Sequence, residues 1–259
     1  MSDDITQFNV SPFGINQASK EEYLFIWIDI LGFSGIVEDD KKYNELYDIL
    51  KKFQAIFNNS HLYSTKIISD GLILFEKIGK NEFNKIIKII NDLSQKQFQF
   101  IKENKYFIRG GIAIGTKFEE FVIDNKKEEE NIFISNGLAR AYNLESNSIQ
   151  WPVIGINDKY LNLMKKYFNI DNDDETFNLT RAFNNNGESI YFINFIPDFE
   201  DEEYLELLYS SIEINKDKTS IRNKYIWLLR HYLQKFKIEV KKEYEGYVLG
   251  RIVNLLIYM

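Results

Sequence analysis

The spacing of apolar residues along the chain changes several times, and each change predicts an element. From about Tyr23 to Ile30 the run is almost continuously apolar, Tyr-Leu-Phe-Ile-Trp-Ile-Asp-Ile, as in a buried strand. After Gly32, residues Tyr43, Leu46, Tyr47, Leu50, Phe53 and Phe57 recur at helical spacing and give a long helix with one buried face. Thr65–Ser69 and Leu72–Phe75 flank Asp70-Gly71, a pair that favours a tight hairpin turn, with Asp70 at its tip or just inside it. A second helix carries Phe83, Ile86, Ile87, Ile90, Leu93 and Ile101 on one side. Tyr106–Ile114 is a strand in which Gly110 and Gly111 permit close approach or a bulge.

Later elements follow by the same reasoning. Helices are expected at Ser135–Asn147, Asp158–Tyr167, Glu202–Ile214 and Thr219–Phe236, and strands at Pro152–Ile156 and Ser189–Ile196. The polar segment at 124–131 reads as a solvated loop or hairpin tip and that at 169–176 as an acidic loop, and 238–259 fits helix or strand. The order predicts an α+β fold, an antiparallel sheet with helices packed on one face and a C-terminal helical extension. The division expected is an arm at 1–22, a main domain at 23–199 and the extension at 200–259.

Composition narrows the classes of function. The chain has 259 residues, 44% of them hydrophobic, which is enough to bury a full core. A formal charge of −7 argues against a broad basic nucleic-acid surface. The absence of cysteine excludes disulfides, thiolate catalysis and Cys-ligated zinc. The acidic N-terminus has no apolar run behind it, and 252–259 is too short to span a bilayer, so a cytoplasmic protein without membrane insertion is expected.

The candidate chemistry lies in two aspartates. Asp29 closes the apolar run before Gly32, and Asp70 sits between two strands rich in Ile and Leu. Each alone also reads as a turn residue. Together, carboxylates presented by neighbouring strands repel one another unless a proton or a metal bridges them, and magnesium favours one or two carboxylates plus substrate phosphates.

Phe25-Ile26-Trp27-Ile28-Asp29-Ile30-Leu31-Gly32-Phe33-Ser34, Lys66-Ile67-Ile68-Ser69-Asp70 and Arg109-Gly110-Gly111-Ile112-Ala113-Ile114-Gly115 resemble the ordered signatures of class III nucleotidyl cyclases. With Gly137-Leu138-Ala139-Arg140-Ala141-Tyr142-Asn143-Leu144-Glu145 and a late Lys224-Tyr225-Ile226-Trp227-Leu228, they resemble most the pyrimidine cyclases of bacterial Pycsar antiphage systems. The resemblance spans roughly 23–157, with a looser echo over 200–236.

It implies a class III cyclase core with ferredoxin-like topology, in which Asp29, Asp70 and the backbone carbonyl of Ile30 hold two divalent ions, Mn2+ or Mg2+. The turn at Leu31, Gly32, Phe33 and Ser34 would open a helix whose amides receive the triphosphate. The implied reaction is attack of the ribose 3′-oxygen on the α-phosphate with loss of pyrophosphate, at two metals about 4 Å apart. It also implies a homodimer with sites at the interface, and an effector that reads the cyclic nucleotide.

The purine-cyclising members place an asparagine and an arginine where Ala139 and Asn143 stand here; Arg140 or Arg109 is the substitute cation expected. Lys66 occupies the position of a base-reading side chain. Its opposite partner counts to Ile132, which cannot hydrogen-bond a purine edge, and this favours UTP or CTP, with UTP ahead. A purine cyclase and a cyclase-like module without turnover remain the alternatives. Tyr142, Trp151 and Trp227 could stack on a base, although packing is the simpler role. His61 and His231 show no ligand spacing.

Overall fold

The structure is a computed structural model that describes residues 21–33, 37, 42–79, 81–123, 129–170, 177–184, 186–239 and 241–242, and between 118 and 132 the backbone alone. The expected arm, the loops at 124–128 and 171–176, Ser34 and nearly all of 240–259 lie outside the described residues.

Strand β1 (Glu22–Ile30) lies at the centre of a sheet. It pairs antiparallel with β3 (Gly71–Lys77) on one side and with β4 (Ile108–Ile123) on the other. Beyond β3 lies β2 (Ser64–Ile68); beyond β4 come β6 (Ile154–Asn157), β8 (Ser189–Ile193) and β7 (Leu179–Phe183). Strand β5 (Glu129–Ser135) pairs with the far half of β4. All pairings are antiparallel except β4 with β6, so the sheet is mixed.

The sidedness of β1 sets the layers, because successive side chains of a strand point to opposite faces. Leu24, Ile26, Ile28 and Ile30 face helices α1 (Tyr43–Asn58) and α2 (Phe83–Asn104), joined in the same core by Leu161 and Met164 of α4 (Asp158–Phe168). The helical period selects Leu46, Ile49, Phe53 and Phe57 from α1, and Ile86, Ile90, Leu93 and Phe100 from α2. Each such burial removes an apolar side chain from water, worth about 1.5–3 kcal/mol.

The other face of the sheet is covered as well. Helix α3 (Asn136–Asn147) lies on β1 and β4, while α5 (Glu202–Ile214) and α6 (Thr219–Phe236) pack on Ile190 and Phe192 of β8. The expected α+β arrangement of helices on a sheet is what the structure shows, with helices on both faces rather than one. Strand β1 is apolar at Phe25 and Trp27 as well as at Ile26 and Ile28, so each of its faces needs a cover.

Glycines let α3 sit close. A Cβ at Gly111 would overlap the carbonyl of Ala141, and one at Gly137 would overlap the ring of Phe25. Ser135 caps α3, accepting a hydrogen bond from the Leu138 amide at 3.1 Å. The C-terminal helices are tied in by Asp201, which caps α5 and pairs with Lys102 of α2 at 2.6 Å. The Tyr232 hydroxyl of α6 donates to the Asp201 carbonyl at 3.0 Å.

Candidate active site

Register alone brings the two aspartates together. Asp29 pairs with Gly71 across β1 and β3, and the two-residue turn that leads into β3 is Ser69-Asp70. The turn's centre is therefore one residue earlier than the Asp70-Gly71 expected, with Ser69 taking the left-handed φ of 57°. Gly71 opens the strand instead. Its missing side chain makes room for the ring of Trp27, which a Cβ would overlap. Asp70 thus stands at the hairpin tip beside Asp29, within hydrogen-bonding range of it.

The electrostatics of that pair are unfavourable without a cation. Burial pushes the Asp29 carboxyl up to about 7, the negative charges of Asp70 and Glu145 add to the rise, and Arg109 opposes it. Two carboxylates in such proximity bind a shared proton or a divalent ion. Hard oxygen donors at a strand end, with Ile30 and its carbonyl immediately next in the chain, fit the donor set that Mg2+ or Mn2+ takes. Among the described residues there is no cluster of three or more His, Asp or Glu side chains that could hold a metal, so protein ligation there would be completed by backbone or substrate oxygens.

Arg109 belongs to the same cluster. It pairs with Asp29 across β1 and β4, forms an ion pair with the buried Glu145 of α3, and donates to the Ile149 carbonyl at 3.3 Å. Glu145 also accepts from the Ser146 hydroxyl at 2.9 Å. The glycine seat at Gly111 holds α3 low enough for Glu145 to reach Arg109. Lys224 of α6 feels both Arg109 and Glu145. Neither Glu145 nor Lys224 had a role assigned from sequence; an acidic residue at a helix position flanked by core residues was the available signal for the first.

Other expected site residues fall elsewhere. Arg140 donates to the Ile114 carbonyl at 2.8 Å, and Ile114 pairs with Leu24. Leu24 is five residues along β1 from Asp29, roughly 16 Å at the rise of a strand. Arg140 is therefore not brought to the aspartates of its own chain, because its guanidinium is anchored on the β4 backbone. Ala139 and Asn143 are exposed on α3. Lys66 lies on the Trp27 side of the sheet, opposite Ile73, with its ammonium 4.4 Å from the centre of the Phe133 ring. Ile132 is in β5, and its side chain is outside the described residues.

After β1 the Leu31 amide donates to the Phe107 carbonyl at 2.9 Å, Gly32 takes a φ of 82°, and the Phe33 ring enters the core under α1 and α2. Among the described residues of this turn, the backbone of Gly32 and Phe33 is what is left to meet a phosphate. Trp151 and Trp227 are partly buried and stack on one another at 4.7 Å against the core, which gives both rings the packing role. Tyr142 is exposed and meets the Trp27 ring edge-on at 5.5 Å.

No family model and no curated protein sequence matches the chain. Among solved structures, the guanylate cyclase domain of RhGC from Catenaria anguillulae in complex with GTP is 15% identical over 67% of this chain and 96% of its own, with a TM-score of 0.47. The guanylyl cyclase Cya2 is 12% identical over 68% and 93%, with a TM-score of 0.48. A bacterial light-regulated adenylyl cyclase is 14% identical over 72% and 94%, also at 0.48. No helix among the described residues is long and apolar enough to cross a membrane.

Proposed function

We propose that the chain is a metal-dependent nucleotidyl cyclase of the class III type, converting a nucleoside triphosphate to its 3′,5′-cyclic monophosphate and pyrophosphate. The observation that carries this reading is the meeting of Asp29 and Asp70 at the end of the central strand, with Asp29 driven toward its neutral form until a cation compensates the pair. Asp29, Asp70 and the Ile30 carbonyl would hold two divalent ions, Mn2+ or Mg2+. When bound, such ions activate the attacking oxygen and neutralise the leaving group. The chain's own part is to orient the carboxylates through the β1–β3 register, to hold Arg109 beside them through Glu145, and to offer the amides after Gly32 to phosphate.

The substrate class is a pyrimidine nucleoside triphosphate, UTP ahead of CTP. In support, the sequence counts Ile132 opposite Lys66, where a purine edge would need a hydrogen-bonding side chain. A homodimer would bring a second chain's residues against the Trp27 side, where Tyr142 of α3 and Ile68 of β2 are exposed. The cyclic product would then act on a separate effector, as in the antiphage systems the sequence resembles.

Ala139 and Asn143, with Arg140 tied to the β4 backbone, favour a second reading, a nucleotide-binding module without turnover. Incubation of the pure protein with each of the four ribonucleoside triphosphates and Mn2+ separates the readings. A cyclic pyrimidine monophosphate that disappears in Asp70→Ala is the expected result. A cyclic purine product corrects the substrate, and binding without any cyclic product overturns the enzyme.

A further inference from the structure

Arg109 has two carboxylates to choose between. Asp29 is its direct partner across β1 and β4, and side chains so placed have Cβ atoms about 4.5–5.5 Å apart, close enough for an ion pair. The guanidinium is not on Asp29. It pairs with Glu145 of α3 and donates to the Ile149 carbonyl at 3.3 Å. Of the groups that act on the Asp29 carboxyl, Arg109 acts least, behind Glu145.

The placement of Glu145 explains the choice. Its side chain is only 3% exposed, and a carboxylate so far out of water needs a cation as well as hydrogen bonds. The Ser146 hydroxyl supplies one hydrogen bond at 2.9 Å, and Arg109 supplies the charge. Helix α3 brings Glu145 down to β4 because residue 111 is glycine: a Cβ there would meet the Ala141 carbonyl and, at 3.0 Å, the amide nitrogen of Glu145 itself. The glycine, the helix and the carboxylate thus act together to fix the arginine. They hold it by its two terminal nitrogens, since the Arg109 Nε is buried without a hydrogen-bond partner among the described residues.

Turned toward Asp29, the same guanidinium would place a permanent positive charge on the carboxylate that the proposed ions need. Guanidinium–carboxylate pairs are charge-assisted and often bidentate, so both oxygens would be filled. A divalent ion would then have to displace an arginine before it could bind.

We propose that Glu145 is a positioning residue that holds the Arg109 guanidinium off Asp29 and so keeps the aspartate pair open to a divalent cation. The inference rests on the metal site read at Asp29 and Asp70. Glu145 binds neither ion nor nucleotide and acts through Arg109. Its negative charge also favours a nearby cation through the local field, and dependence on Arg109 is what separates the two effects.

Titration of the full chain with Mn2+ alone, read by the electron paramagnetic resonance of the free ion, tests it as a double-mutant cycle. Glu145→Gln is expected to weaken Mn2+ binding by about tenfold or more, equivalent to about 1.4 kcal/mol. Adding Arg109→Met to that variant should restore affinity to near wild type, whereas Arg109→Met alone should change it by less than about threefold. Glu145→Asp keeps the charge and should keep most of the affinity. Glu145→Met serves as a second variant should the glutamine disturb folding. In a crystal structure of metal-free Glu145→Gln the guanidinium should lie on Asp29. Unchanged Mn2+ affinity in folded Glu145→Gln and Glu145→Met overturns the proposal. So does a gain from Arg109→Met that is the same with and without Glu145, because a field effect alone is additive.

Because ion binding is measured and not turnover, the two ideas fail separately. A protein whose Mn2+ affinity follows this cycle but which makes no cyclic nucleotide would keep this inference and overturn the cyclase. Cyclisation by wild type with Mn2+ affinity indifferent to Glu145 would do the reverse.

Discussion

The two faces of β1 are built from one stretch of nine residues and serve opposite ends. One face is hydrocarbon throughout: Leu24, Ile26, Ile28 and Ile30 are at most 1% exposed and meet only the apolar sides of their covering helices. The other face runs from Phe25 through Trp27 to Asp29, and at that end the neighbours change to Asp70, Glu145 and Arg109. The first face returns its burial as stability. The second spends some on holding like charges together, a tension that a bound cation or anion relieves.

The largest effect expected on the second face is on turnover. Asp70→Asn should reduce cyclic product by at least about a thousandfold, or about 4 kcal/mol of barrier, while its melting temperature stays level or rises as repulsion with Asp29 is lost. A variant that melts early would show that Asp70 supports the fold instead.

Ile28→Ala on the first face should do the opposite. It is expected to cost about 2–5 kcal/mol of stability in denaturant unfolding and to leave Mn2+ affinity of the folded protein near wild type. Gly111→Ala comes next, at about 1–3 kcal/mol, because its Cβ forces α3 away from β4. Unlike Ile28→Ala, it should also disturb the Arg109–Glu145 pair, read as a loss of nucleotide affinity. Equal effects of the two on nucleotide binding would erase the distinction between the faces.

Smaller effects should appear as pH dependence. Between the ordinary aspartate value of 3.8 and about 7, folded protein holds a proton at Asp29 that the unfolded chain has released. Stability from this source is full at low pH and is lost as pH rises through about 7 in metal-free protein. His231, between Phe192 and Trp227, has the reverse sign: burial lowers it to about 4, so its contribution is full above 6.5 and is lost as pH falls toward 4. The two windows overlap and oppose each other, so in melting curves across pH 4 to 8 Asp29→Asn should make stability rise more steeply with pH and His231→Phe should make it fall more steeply.

The elements were legible where periodicity is strong. The β1 run, the apolar rows of α1 and α2, and the Asp70 hairpin all stand near their expected places, since burial imposes a period that the residues reveal. The short strands β5 and β7 were not foreseen: one lies in a stretch dense with glutamate, and the exposed β7 gains its partner only from β8. The pairing of Asp29 with Asp70 was legible because both aspartates interrupt apolar runs. Glu145 was not, because its meeting with Arg109 depends on α3 sinking onto Gly111. That is a tertiary contact with no local sequence period. Arg140 looked equivalent to Arg109 in sequence; the hydrogen bond of Arg140 to Ile114 and the place of Arg109 opposite Asp29 separate them.

The most direct test is a titration of Mn2+ into the protein with UTP or CTP present, followed by the electron paramagnetic resonance of free Mn2+. Wild type should take up protein-dependent Mn2+ beyond that held by nucleotide alone, and both Asp29→Asn and Asp70→Asn should abolish that uptake while remaining folded. Uptake that persists unchanged in the two variants would mean that the carboxylates at the end of β1 do not hold the ions, and the cyclase assignment would lose its basis.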